Sequence, residues 1–213
     1  MLPGTPEIGT PMRGLVQESA MIRNLAAGQT GMTSNVFLVP GERTVLVDVG
    51  GGFDVVSEVR DHVDHIDAVV LTHTHYDHVD NIDEVRAAFD VESWGYDPDH
   101  EAVDHELGPG DDPMLGDHAY GVLHTPGHKD DHLCLYSPKS GVLFAGDLVF
   151  ANGGFGRTDL AEGDRATLVD SIERLLEFVD ENLSVVHTGH GPSIETTPRQ
   201  DIELALQAAR MGV

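Results

Sequence analysis

Thr72-His73-Thr74-His75-Tyr76-Asp77-His78 gathers three imidazoles and a carboxylate within six positions, from His73 to His78. No hydrophobic core segment has that composition. Neutral imidazole nitrogen and carboxylate oxygen are ligands for borderline cations such as zinc, and a tight turn can converge them on one or two ions. A lone His-x-His pair carries little weight, whereas His-x-His-x-Asp-His is specific. Three further positions offer the same chemistry: His128 in Thr125-Pro126-Gly127-His128, Asp147 after Gly146, and His190 in Thr188-Gly189-His190-Gly191. Each follows a strand-like run and has glycine beside it, which lets backbone approach closely and aims the side chain into a cleft. Asp48 ends another such run, ahead of Gly50-Gly51-Gly52. No Ser-His-Asp or Cys-His arrangement competes, so the chemistry points to a metal-activated water rather than a covalent nucleophile.

These side chains need a framework of alternating strands and helices. Residues 35–39 and 44–48 are short β-branched runs around Pro40-Gly41, a hairpin signal. Val55, Val59, Val63 and Ile66 recur at helical spacing and lead into a buried-strand composition at 68–72. A helix is expected over 80–89 and a short strand over 91–94. Residues 97–117 are rich in Asp, Glu, His, Pro and Gly and read as a long surface loop. A β-meander follows at 120–124, 132–136 and 142–145. Asp164 is a good N-cap for a helix carrying Leu168, Ile172, Leu175, Leu176 and Val179, and a strand over 183–188 precedes a last helix after Pro198. The pattern is that of an α/β layered domain over 15–213, preceded by an irregular leader at 1–14.

In this order, the motifs resemble those of the metallo-β-lactamase superfamily over roughly residues 33–192, about three quarters of the chain. The resemblance implies a four-layer αβ/βα sandwich with a dinuclear centre at one edge between two sheets. By motif, His73, His75 and His128 would hold one metal, Asp77, His78 and His190 the second, and Asp147 would bridge them. Asp48 would support the site by hydrogen bonding, and Asp77 or Asp147 would orient the nucleophile. Zinc is the first expectation for both ions, with iron or manganese as alternatives. Members that open β-lactams use Cys or Ser at or near the position of Asp147, which points away from antibiotic hydrolysis. Residues 153–160, Gly-Gly-Phe-Gly-Arg-Thr-Asp-Leu, look like the glyoxalase-II-like hydrolases, so a small-molecule thioester or related ester of the hydroxyacylglutathione type is the expected substrate. The persulfide dioxygenase branch has a similar stretch; there one iron would sit on His73, His128 and Asp147. A nuclease or phosphodiesterase, or a non-catalytic metal-binding relative, ranks below both. Full-length glyoxalase II adds a C-terminal helical domain that contacts glutathione, and past His190 there is room for one helix.

The remaining histidines read more plainly. His62, His65, His100, His105 and His118 are expected in solvent; His124 and His132, which flank the third motif, read as structural or as supports of the site, and His187 as packing or in touch with it. Tyr76 is a candidate substrate contact. Lys129, Asp130 and Asp131 shape the cleft rim or form charged surface. Cys134, the single cysteine, excludes a disulfide framework and a cysteine-rich zinc knuckle, and is expected to be an inert buried thiol.

Charge limits the partners. The 213 residues carry 37 acidic side chains against 12 Lys and Arg, a formal net charge of -25. That excess argues against nucleic acid and anionic membranes, and no apolar run approaches the ~20 residues of a membrane span. The N-terminus lacks the basic and apolar regions of a secretory signal, so a cytoplasmic location is expected. Oligomeric state is not legible. Only Lys129 and Lys139 are lysines, and acidic, lysine-poor surfaces resemble those of extreme halophiles. Self-repulsion on this scale acts over ~30 Å at 0.01 M salt and over ~3 Å at 1 M. The melting temperature is therefore expected to climb from dilute buffer to molar KCl, and a salt-independent value would remove the halophilic reading.

Overall fold

Strand pairing starts at the Pro40-Gly41 hairpin and spreads outward from it. The computed structural model describes residues 21–212, so the leader expected at 1–14 lies outside the described residues. The first sheet contains β1 (Arg23–Asn24), β2 (Phe37–Val39), β3 (Val45–Val47), β4 (Ala68–Val70), β5 (Ser93–Gly95) and β6 (His105–Glu106), in chain order. β1 to β3 pair antiparallel and β3 to β6 parallel. Parallel neighbours need crossovers; α1 (Val55–Arg60) and α3 (Ile82–Phe89), the latter preceded by the one-turn α2 (Tyr76–Val79), supply the first two, and residues 96–104 the third, from β5 to β6.

Asp54 caps α1 by accepting from Ser57 N at 3.0 Å. The helix stops at Arg60, short of the periodicity that runs to Ile66. The Asp61-His62-Val63-Asp64-His65 run consists of weak helix formers, and His62 N and Val63 N both turn back to Val59 O. Ile66 still buries against the same core.

The stretch 97–117 is not simply a surface loop. It adds β6 to the first sheet, starts the hairpin of β7 (Met114–Leu115) with β8 (His118–Ala119), and buries Ala102, Val103, Leu107 and Leu115. β6 is two polar residues long and joins through backbone bonds, Asp104 N to Ser93 O at 3.0 Å and Leu107 N to Gly95 O at 2.7 Å, with the His105 ring stacked on Trp94. Side-chain pattern carries no trace of such a strand.

The second sheet uses β9 (Gly121–His124), β10 (Leu133–Ser137) and β11 (Val142–Gly146). A small ribbon of β12 (Val149–Phe150) and β13 (Gly154–Phe155) follows, and then β14 (Val185–Thr188) returns parallel to β11. The spatial order is β14-β11-β10-β9. The return passes through α4 (Arg165–Phe178), where Asp164 accepts from Thr167 N at 2.7 Å, and α5 (Pro198–Met211) closes the described chain.

Alternation along the strands separates three cores. Leu38, Leu46 and Val69 face α1 and α3, with Val55, Val59, Ile82 and Val85. Their neighbours Phe37, Val45, Val47 and Val70 face the second sheet, meeting Val122, Leu133, Leu135 and Phe144. The far side of that sheet, Cys134, Leu143, Ala145 and Val186, packs on Leu168, Ile172, Leu175, Ile202 and Ala205 of α4 and α5. The result is helices, sheet, sheet, helices: the four-layer α/β sandwich.

Phe144 stands between the sheets, its ring 5.7 Å from Phe37 and 5.6 Å from Tyr120. Phe144→Ala is expected to cost about 3–5 kcal/mol. Urea unfolding is the check, and a loss well under 1 kcal/mol would show that the sheets close over the gap.

Candidate metal centre

The two sheets are stitched together at one edge, where the polar motifs sit. Leu133 N donates to Thr72 O at 2.7 Å, joining the end of β4 to the start of β10, and Asn35 N, ahead of β2, donates to Gly189 O at 2.7 Å in the loop after β14. Asn35 spans the seam: its side-chain amide donates to Thr188 O at 2.8 Å and Gly191 O at 2.9 Å, on either side of His190. Gly189 is needed there, because a Cβ would run into the Asp147 carboxylate.

Thr72 leaves β4 under the control of Asp48. Held at φ +58°, a region Asp tolerates better than most residues, Asp48 accepts from Thr72 N and Thr72 Oγ1, both at 2.8 Å. It also accepts from His78 Nδ1 at 2.8 Å. A carboxylate only accepts, so the proton lies on Nδ1 and Nε2 turns inward, 3.5 Å from Asp147 Oδ1. The same logic fixes His128. Its Nδ1 donates to Arg157 O at 2.8 Å, leaving Nε2 3.5 Å from Asp147 Oδ2.

The side chains expected to ligate come together as overlapping groups. His73, His75 and His128 form one, with His73 Nε2 and His75 Nδ1 3.1 Å apart. Asp77, His78 and His190 form another, with His190 Nε2 3.0 Å from Asp77 Oδ2. Asp147 lies between them, within 3.5 Å of His78, His128 and His190. In each group one nitrogen or oxygen per residue lies within 4.8 Å of the others, so each could hold an ion. His78 Nε2, His128 Nε2 and Asp147 Oδ1 are buried and have no hydrogen-bond partner. Unpartnered polar atoms converging in one place fit a bound cation, which would displace any proton on His78 Nε2.

Proton affinities differ between the groups. Burial, reinforced by neighbouring imidazoles, lowers His73, takes His75 down to about 4 and lowers His128, so these three are neutral. Burial would also lower His78, but the Asp48 and Asp147 carboxylates outweigh it and raise the ring to about 10. The Asp77 hydrogen bond raises His190 and lowers Asp77 in turn. Burial pushes the Asp147 carboxyl up, yet the His78, His190 and His128 rings together hold it well below the usual carboxylate range.

Other expectations resolve here too. His132 is buried and accepts from Asp147 N at 3.0 Å while its Nδ1 meets Thr125 Oγ1 at 2.7 Å, so it fixes the Asp147 backbone. His124 Nε2 bonds Asp130 O and its ring stacks on Tyr96; His187 packs between Phe37 and Phe144 and bonds Ser193 Oγ. Tyr76 is exposed at the cleft mouth. Cys134 is fully buried and pushed up to about 12, an inert thiol. Lys129 and Asp131 are buried and do not form surface. Of the two readings of His132 the supporting one holds, while the bracing roles of Asn35 and Asp131 escape sequence reasoning; their signal is only a polar residue placed next to a motif. Above the paired groups opens a cleft of about 600 Å³, bordered by Met32, Phe150, Phe155, Arg157 and Leu160.

Residues 29–190 match the Metallo-beta-lactamase superfamily. The chain belongs to that superfamily. Among superfamily relatives, the "Probable metallo-hydrolase YqgX" of Bacillus subtilis is 29% identical over 188 residues, 78% of this chain and 88% of that protein. The "Hydroxyacylglutathione hydrolase GloC" of Haemophilus influenzae is 28% identical over 173 residues, 70% of this chain and 81% of its own. The crystal structure of the BLEG-1 B3 metallo-beta-lactamase superposes with a TM-score of 0.70 at 27% identity, covering 85% of this chain and 97% of that one. Among the described residues no helix is long and apolar enough to cross a membrane.

The unequal proton loads have a measurable consequence. Uptake at His73, His75 and His128 should be nearly independent of pH above the usual histidine range. Uptake at Asp77, His78 and His190 must expel the proton held by His78, together with whatever proton the raised His190 ring carries, and should strengthen as pH rises. Zinc calorimetry of the metal-free protein in buffers of different ionisation enthalpy reads this directly; uptake of both ions without proton release at neutral pH would contradict the assignment of charge.

Proposed function

We propose that this superfamily member is a dinuclear metallohydrolase acting on small-molecule thioesters or related esters, with zinc as the preferred ion. The observation that carries the reading is the position of Asp147, an anion shared between two complete three-residue groups. His73, His75 and His128 hold the first ion, Asp77, His78 and His190 the second, and Asp147 both. A metal pair supplies a hydroxide near neutral pH and a Lewis acid for a carbonyl. The protein's part is orientation. Asp48 and the Arg157 carbonyl fix the tautomers of His78 and His128, a form of support whose loss typically costs ~10–100-fold in affinity or activity. Asp77, with Oδ2 3.0 Å from His190 Nε2, would hold the second ion through one oxygen and leave the other to orient the attacking water by accepting its hydrogen bond. Arg157 is held by Asp159 at 2.7 and 2.8 Å, so the cleft wall that receives the substrate is mainly apolar. The likeness to a hydroxyacylglutathione hydrolase supports a thioester as the bond cleaved.

Asp77→Asn tests the reading. The variant should keep about one metal and lose thioester hydrolysis by ~10²–10³, the scale for one positioned group. Metal content, hydrolysis of an S-acyl thioester panel, β-lactam opening and persulfide-dependent oxygen uptake are measured beside the parent. Hydrolysis near the parent rate overturns the proposal, as does oxygen uptake or β-lactam opening in a parent that cleaves no thioester.

A further inference from the structure

Lys129 and Asp131 follow His128 directly, and both are buried: Asp131 is 3% exposed and Lys129 9%. In a chain with two lysines, placing one here costs desolvation that an apolar pair would avoid. Asp131 Oδ2 accepts from Thr74 Oγ1 at 2.5 Å, and Oδ1 accepts from Thr74 N at 3.4 Å. Thr74 is the residue between His73 and His75, and holding both its hydroxyl and its N–H on one carboxylate sets the backbone from which those imidazoles project. On the other side Lys129 Nζ lies 3.7 Å from Asp131 Oδ1 and donates to Glu162 Oε2 at 2.6 Å. Glu162 belongs to the loop whose Arg157 carbonyl orients His128. One buried ammonium thus ties together the segments that carry His73, His75 and His128. None of the four side chains touches the cleft.

Resting on the ligand assignment proposed above, we infer that Thr74, Asp131, Lys129 and Glu162 form a positioning strut for the first metal group, setting the geometry and the release rate of the ion held by His73, His75 and His128. Lys129 offsets part of the negative charge of Asp130, Asp131 and Glu162, at 3.3, 3.7 and 2.6 Å, and the hydroxyl of Thr74 completes the buried carboxylate's hydrogen bonding. The strut therefore acts on the imidazoles through backbone direction and not through a contact with substrate.

The full chain loaded with cobalt(II) provides the test. Thr74→Val keeps the shape and removes the hydroxyl; Thr74→Ser keeps the hydroxyl. Thr74→Val should release cobalt to a chelator about 10–100-fold faster than the parent and shift its d–d absorption, while Thr74→Ser stays within about twofold. A strut that only stabilised the fold would lower the melting temperature of the metal-free protein and leave absorption and release unchanged; that result overturns the inference. So does a Thr74→Ser variant that behaves like Thr74→Val. Glu162→Ala, on an exposed loop residue, keeps the test decisive should Thr74→Val not fold: several-fold faster release supports the strut, and parent-like release overturns it. A parent that takes up no cobalt overturns the ligand assignment and the strut together, whereas two bound ions with unchanged variants overturn the strut alone.

Discussion

The constraint on which this structure turns is a surplus of lone pairs in a place water barely reaches. Five imidazoles and two carboxylates converge at the seam of the sheets, and three of their buried atoms have no partner within the protein. Such crowding is unfavourable in itself: imidazole burial alone suppresses protonation at His73 and His75. A cation removes the conflict at once, since the same lone pairs become ligands. The neighbouring structure keeps those atoms free by occupying the opposite ring nitrogen of His78 and His128 with Asp48 and a backbone carbonyl.

The sandwich follows from that need. Neither sheet could assemble the centre alone, because His73, His75, Asp77 and His78 come from the loop after β4, whereas His128, Asp147 and His190 come from the second sheet's loops. The alternation that sends Phe37 and Val47 inward and Leu38 and Leu46 outward holds the sheets face to face. Cross-seam hydrogen bonds at Thr72 and Asn35 then set the distance between the two edges that carry the candidate ligands.

Much of this was legible in the chain itself. The candidate ligands are conspicuous by type and spacing, and the structure brings them together; the caps Asp54 and Asp164 and the Pro40-Gly41 hairpin are local signals that the fold honours. What escaped reading depends on distant partners. β6 pairs through backbone, so His105-Glu106 has no apolar signature. The end of α1 depends on weak helix formers overruling a valine periodicity. Lys129 and Asp131 look like any other charges in a strongly acidic chain until Thr74 and Glu162, far away in sequence, close around them.

The edge position of β14 gives the centre a direction in time. A chain growing from its N-terminus on the ribosome folds its early parts first. His73, His75 and His128 are all available once β10 has paired with the first sheet's end through Leu133 and Thr72. His190 follows β14, the last strand, which must find β11 after α4 has crossed over. His73, His75 and His128 therefore lie on chain made before the final described strand, whereas His190 joins Asp77 and His78 only after β14 has docked on β11, so the second candidate group is assembled later than the first.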